Sequence, residues 1–311
     1  MPNVSTRHFQ LPPWQQGAAQ SWFERGEGTA RKPRAASSVL LLRDSRQGAE
    51  VFLRYRRGES PLGKIAFPGG SLEESDSDAL AWYGPSPAEW ARTLGMDDPQ
   101  EARRHVVAAA RELFEETGVL LAGPDESTLL ESNRGPDWMA ARVGIASGDM
   151  SFPALLARRG LGLRSDLLRP LTHWLTADFA LRRFDTRYFA AVQPLGQETS
   201  LLESKGLWGQ WRVAAAEMEQ AGTTALGDEV GQPDTVGLTL EQLTVPAVAL
   251  MIEKLAKARG CIAYLAHRRA NEVFQPELVE ADTFPPRWAA PTVPGRSGRR
   301  RAGAPSRRRP T

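Results

Sequence analysis

Three carboxylates and one guanidinium fall within six positions in Arg111-Glu112-Leu113-Phe114-Glu115-Glu116, followed by Thr117-Gly118-Val119. On a helix, Glu112, Glu115 and Glu116 stand at i, i+3 and i+4 and share one face. Like charges so placed repel by about 0.2–0.5 kcal/mol per pair. A helix that keeps all three together offers something positive to hold, and a hard divalent cation with oxygen ligands is the simplest candidate. Such an ion can orient a water molecule and lower its pKa. Carboxylates on a helix face are otherwise most often a solvated surface, so this stretch needs a partner elsewhere in the chain.

The partner is the loop Gly63-Lys64-Ile65-Ala66-Phe67-Pro68-Gly69-Gly70. Two glycines after a proline allow a backbone that other residues do not adopt, and close approach by a ligand or ion. An acidic stretch with Glu73, Glu74, Asp76 and Asp78 follows it.

Both pieces require elements to position them. Ser38–Arg43 and Val51–Arg56 read as a strand pair around a polar turn, Asp44–Ala49, and the second strand ends in Arg54, Arg56 and Arg57. Ser86-Pro87-Ala88-Glu89 has the form of an N-cap, a proline at the first helical position and a third-position glutamate. It starts a short helix with Trp90 and Leu94 on one side and Gly95 after it. Asp98-Pro99-Gln100-Glu101 repeats the start signal and opens the long helix that carries the carboxylates, and Gly118 ends it. Further strands are expected over Leu171–Leu175, Arg187–Val192 and Leu207–Val213, with helices near Trp138–Val143 and over Pro246–Arg259. Trp82 and Trp90 are expected to form a small core of the segment 77–98.

The chain has 311 residues, 41% hydrophobic, enough for a full core. Its net charge of +2 is unevenly placed: the last sixteen residues hold seven arginines and no acid, so the rest carries −5. Residues 285–311, rich in Pro, Gly and Arg, read as a disordered basic tail. A nucleic-acid contact is implied only through that tail. The single cysteine, Cys261, fits a reducing compartment. No signal-peptide run, uninterrupted apolar span of membrane length or peroxisomal C-terminal address is present, so a cytoplasmic protein with no membrane partner is expected. Nothing in the sequence sets an oligomeric state.

Together the Gly loop and the Glu-rich helix resemble the signature of the Nudix hydrolases. That signature runs Gly, five residues, Glu, seven residues, then Arg-Glu, an apolar residue, any residue, Glu-Glu, any residue, Gly and an apolar residue. Residues 111–119 match its second half throughout. The first half is Gly70, Ser71 to Ser75, then Asp76 where the family has Glu. The spacer, residues 77–110, holds 34 residues, an insertion of 27. An insertion there, with the run Arg182-Arg183-Phe184-Asp185-Thr186-Arg187-Tyr188-Phe189, is similar to the Nudix branch that includes the peroxisomal coenzyme A diphosphatases.

The resemblance implies a Nudix α/β/α sandwich over residues 34–284, with a mixed central sheet and a small helical insertion at 77–98; residues 1–33, poor in periodicity and holding Pro12, Pro13 and Pro33, read as a lead-in with at most one short helix. It implies Mg²⁺ or Mn²⁺ held by Glu112, Glu115, Glu116 and the Gly70 carbonyl, with Arg111 orienting the carboxylates by ion pairing. One of these glutamates, or a later acid with Glu203 first and Glu198 second, takes the proton from the attacking water. Arg54, Arg56 and Arg57 become a phosphate clamp. The implied substrate is a small nucleoside diphosphate derivative, with coenzyme A or its acyl esters favoured over ADP-ribose, NADH or a nucleotide sugar. A Nudix-fold binding module without hydrolysis is the alternative; the presence of all three glutamates argues for an enzyme.

Overall fold

The computed structural model describes residues 6–25, 28–202, 204, 206–267, 272–279 and 287–291. In chain order, strand β1 (Thr6–Gln10) and helix α1 (Pro13–Glu24) precede strands β2 (Arg34–Ser45), β3 (Gly48–Tyr55), β4 (Ile65–Ala66) and β5 (Gly69–Ser71). Then come β6 (Ala81–Tyr83), α2 (Pro87–Leu94), α3 (Pro99–Thr117), β7 (Ala122–Gly123), α4 (Pro136–Ala146), α5 (Phe152–Arg158) and β8 (Gly162–Arg164). Strands β9 (Arg169–Leu175), β10 (Phe184–Val192) and β11 (Gly209–Val213) follow. After them lie helices α6 (Ala214–Glu219), α7 (Ala225–Val230), α8 (Leu240–Leu243), α9 (Pro246–Ala256) and α10 (Cys261–Ala266). Short strands β12 (Val273–Phe274), β13 (Glu277–Val279) and β14 (Arg287–Pro291) end the described chain.

The central sheet runs β11-β3-β2-β10-β9-β12, with β4 added to β3 and β5 to β2. It is mixed: β2 and β10 are parallel, whereas β2 and β3, β3 and β11, and β9 and β10 are antiparallel. The unbroken apolar run of β2 suits a strand covered on both faces. Leu40 and Leu42 point into one core with Val248, Ile252 and Leu255 of α9. Val39 and Leu41 point into the other with Val106, Ala110, Leu113 and Phe114 of α3. Alternation along one strand thus makes a helix–sheet–helix sandwich.

Local signals place the elements around the carboxylates. Ser86 accepts from the Glu89 N–H and Glu89 returns the bond, and Gly95 closes α2 at φ 61°. Asp98 accepts from Gln100 N–H at 2.8 Å to start α3, and Gly118 ends it at φ 79°. The strand expected after the polar turn and the helices expected near 138–143 and over 246–259 are present with shifted ends, as β3, α4 and α9.

Three expectations change. The segment 77–98 has no core of its own: Trp90 is 3% exposed, and its ring meets Phe189 of the central sheet edge-on at 5.9 Å. Ala91 and Leu94 join the same core as α3. So short a segment cannot enclose its apolar residues, so it buries them on the main body. Trp82 is half-buried against that same core, and its indole N–H donates to the Pro85 carbonyl at 2.7 Å. The lead-in is more structured than a single short helix, because β1 pairs with β14 and Phe9, Leu11 and Ala19 enter the core beneath α9. Strand β14 also falls inside the stretch expected to be a disordered tail; it lies between β1 and β13. Residues 292–311 lie outside the described residues.

Trp90→Ala is expected to destabilise the whole domain by about 3–5 kcal/mol, the usual cost of emptying a buried indole site. Urea unfolding followed on the main transition measures it, and a shift below about 1 kcal/mol would mean that the segment folds by itself.

Candidate active site

The glycine loop is pinned before it reaches the helix. The Pro68 carbonyl accepts from Val39 N–H at 2.8 Å and from the Ser38 hydroxyl at 2.9 Å. Phe67 is buried edge-on against Tyr188 at 6.4 Å. Strand β5 then pairs with β2, Gly69 opposite Ser38 and Gly70 opposite Ser37. A Cβ at residue 69 would stand 2.5 Å from the Ser37 carbonyl oxygen, so only glycine fits against β2. A Cβ at residue 70 would stand 2.4 Å from Glu112 Oε1. The carboxylate of Glu112 therefore lies directly on the Gly70 backbone, which brings together two positions 42 residues apart in sequence.

Arg111 organises the other side. Its side chain is 1% exposed. It clamps Asp76 with two bonds, Nε to Oδ1 at 2.8 Å and Nη2 to Oδ2 at 3.1 Å. Nη1 donates to Glu112 at 3.0 Å and to Glu115 at 2.9 Å, and Nη2 to the Ser71 carbonyl at 3.0 Å. Burial pulls the guanidinium pKa down, but the bond to Asp76 and the charges of Glu112, Asp76 and Glu115 outweigh it, so the net shift is upward. Asp76, the shorter residue at the family's glutamate position, is fully buried and also accepts from Glu73 N–H at 2.7 Å. The tight turn Glu74–Ser77 brings its backbone close enough that the shorter acid reaches.

Glu116 faces the opposite cations. Its Oε2 accepts from Arg56 at 2.9 Å and from Gly69 N–H at 2.9 Å, and its Oε1 pairs with Arg54. Two of the three arginines expected to clamp phosphate thus hold a box glutamate, while Arg57 is exposed at the cleft wall. Desolvation pushes the Glu112 pKa up, with the negative charge of Glu116 next in effect. The C-terminal end of α3 is held by Arg142, whose Nη2 donates to the Glu115 carbonyl at 3.0 Å. A cation at the carbonyl end of a helix is favourably placed.

Glu112, Glu116 and Gly70 line one cleft of about 910 Å³, with Arg54, Arg56 and Arg57 on its wall. Glu115 does not line it; it is buried against Arg111. Among the described residues no three His, Cys, Asp or Glu side chains converge on one point, because guanidiniums hold the carboxylates. The donor set nevertheless fits Mg²⁺ or Mn²⁺: hard oxygens from Glu112 and Glu116, with the Gly70 backbone in contact. Burial, and after it the charge of Glu116, raises the Glu112 pKa, and a cation held there would favour the ionised carboxylate.

The remaining candidates fall elsewhere. Glu203 lies outside the described residues. Glu198 pairs with Arg134 at the surface. His173 pairs with Asp185 on the neighbouring strand and does not line the cleft. Arg142, Arg31 and Arg34 carry no signal in the sequence, since nothing in their local surroundings marks them.

No family model matches the sequence, and no curated protein matches it. Among solved structures, a Nudix hydrolase from Alicyclobacillus acidocaldarius is similar at 25% identity over 76% of this chain and 96% of that one, with a TM-score of 0.59. The chain has the fold of the Nudix hydrolases. Looser matches are the Caenorhabditis elegans Ap4A hydrolase binary complex, at 14% identity and a TM-score of 0.29, and the Nudix domain of Shewanella oneidensis NrtR complexed with ADP ribose, at 12% and 0.32. They cover 63% and 64% of this chain, and 92% and 86% of their own.

Two substitutions probe this site. Gly70→Ala should swing the Glu112 carboxylate aside and weaken Mn²⁺ binding at least about tenfold, with little change in unfolding, since only the end of a side chain must move. Asp76→Asn should destabilise the protein by about 3–5 kcal/mol in chemical unfolding, because it strips the main charge partner from buried Arg111.

Proposed function

We propose that this protein is a divalent-metal-dependent diphosphohydrolase whose substrate is coenzyme A or an acyl-coenzyme A. The observation that carries the hydrolytic reading is the meeting of Glu112, Glu116 and Gly70 in a cleft whose walls also carry seven arginines. The choice of coenzyme A is supported by the insertion between Asp76 and Arg111 and by the run Arg182–Phe189.

Glu112, Glu116 and the Gly70 carbonyl would hold Mg²⁺ or Mn²⁺, and Glu115 holds Arg111 in place beneath them. When bound, the metal would supply charge neutralisation at the bridging phosphates and a water of lowered pKa. Arg57 is placed to bind a phosphate oxygen directly, and Arg54 and Arg56 add positive potential beside Glu116. A glutamate facing the cleft, Glu112 or Glu116, accepts the proton of the attacking water. The products would be adenosine 3′,5′-bisphosphate and phosphopantetheine or its acyl form.

Purified full-length protein should be assayed with Mg²⁺ or Mn²⁺ against coenzyme A, ADP-ribose, NADH and dinucleoside polyphosphates. Coenzyme A is expected to turn over fastest and chelator to abolish the activity; preference for another member would reassign the substrate. Glu112→Gln and Glu116→Gln should each lower kcat by about 10²–10⁴-fold and weaken Mn²⁺ binding in calorimetry. Near wild-type rates in both variants would sink the assignment.

A further inference from the structure

The cleft carries more positive charge than a diphosphate requires. Eight arginine and lysine side chains line it against four carboxylates, Glu59, Glu73, Glu112 and Glu116. Arg54 and Arg56 are committed to Glu116, and buried Arg183 to Asp178 at 2.6 Å. The other five, Arg31, Lys32, Arg34, Arg57 and Arg182, are exposed and have no carboxylate partner among the described residues. Arg31 donates to the Leu181 carbonyl at 3.2 Å and Arg182 to the Glu59 carbonyl at 3.4 Å, bonds that leave the charge whole.

Backbone pairing gathers four of these five at one end. Arg34 opens β2 opposite Phe184 of β10, and its N–H donates to the Arg183 carbonyl at 2.9 Å. Arg183 Nη1 in turn donates to the Arg31 carbonyl at 2.7 Å. Arg31, Lys32 and Arg34 therefore lie beside Arg182. Arg34 stands three residues before Ser37, the register partner of Gly70, about 10 Å along the strand. Like charges held together this way repel unless an anion sits among them.

A diphosphate diester brings one negative charge per phosphate, and the divalent ion with Arg57 already meets it. We propose that the Arg31–Lys32–Arg34–Arg182 end of the cleft is a second phosphate subsite. The substrate then bears a phosphate group outside the bond that is cleaved. Such a group carries about −1.5 to −2 at pH 7 with three acceptor oxygens, which suits guanidinium forks. The subsite rests on Glu112 and Glu116 being the hydrolytic centre, and it narrows the substrate class: ADP-ribose and NADH lack the extra group. The same chemistry arises from a phosphate on the sugar or from a further member of a polyphosphate chain.

The test is calorimetric binding to the full chain without divalent ion, using AMP, adenosine 3′,5′-bisphosphate and ATP. Adenosine 3′,5′-bisphosphate is expected to bind about ten- to a hundredfold more tightly than AMP, the range for added charge-assisted bonds. The gap should close in the double variant Arg31→Ala/Arg182→Ala, whose parent side chains are both exposed. A gain for ATP alone that closes in the variant places the extra phosphate in a chain and still supports the subsite. Equal affinity for all three, or a gap unchanged in the variant, overturns it. In parallel, hydrolysis with Mn²⁺ of coenzyme A against 3′-dephospho-coenzyme A, and of NADPH against NADH, should favour the phosphorylated member by about tenfold or more, a ratio that falls toward unity in the variant. Absence of turnover for every compound would refute the hydrolytic reading, and the binding arm would then judge the subsite alone.

Discussion

A guanidinium removed from water must be surrounded by negative charge, and Arg111 is 1% exposed. Its partners come from two segments: buried Asp76 and exposed Glu73 from the stretch after the glycine loop, and Glu112 and Glu115 from its own helix. The buried charge is thus the tie that fixes the loop against the helix. Asp76, Glu112, Glu115 and the arginine share these buried bonds and behave as one unit. Asp76 in place of glutamate is no weakness in this arrangement. Its carboxylate also accepts a backbone N–H within its own turn, which holds the shorter side chain at the right depth.

Two zones of opposite sign follow. Around the helix, Glu73, Asp76, Glu112, Glu115 and Glu116 face Arg54, Arg56 and Arg111, so carboxylates outnumber their cations. Burial concentrates that excess and pushes Glu112 upward. Farther along the same cleft the sign reverses, with exposed arginines and a lysine on the approach to the sheet. A cation belongs in the first zone and an anion across both, which is the charge layout of metal-assisted attack on a phosphate bond.

The insertion divides between two tasks. Part of it forms α2, and the rest of the spacer, from Pro99 to Ala110, forms the first turns of α3, a helix of 19 residues, about 28 Å long. Helix α2 covers those turns, and Arg187 of β10 reaches across to the Leu94 carbonyl at 2.6 Å. The added chain is therefore part of the body that braces α3, and it leaves the glycine loop free to pair with β2.

Local chemistry was legible without coordinates. The caps at Ser86, Asp98, Gly95 and Gly118 depend only on neighbours within one turn, and the carboxylate spacing depends only on the helix period. The double-sided core was half legible, since the unbroken apolar run of β2 tells that both faces are covered but not by what. Which carboxylate faces what was decided by tertiary structure. Glu115 and Glu116 are adjacent in sequence, yet one turns under the helix to Arg111 and the other toward Arg54 and Arg56. The cationic end of the cleft was invisible because Arg31, Arg34 and Arg182 meet only through the parallel pairing of β2 with β10, some 150 residues apart. Spacing within a helix is a property of the chain, whereas the sign of the potential in a cleft is a sum over charges that only folding brings near one another.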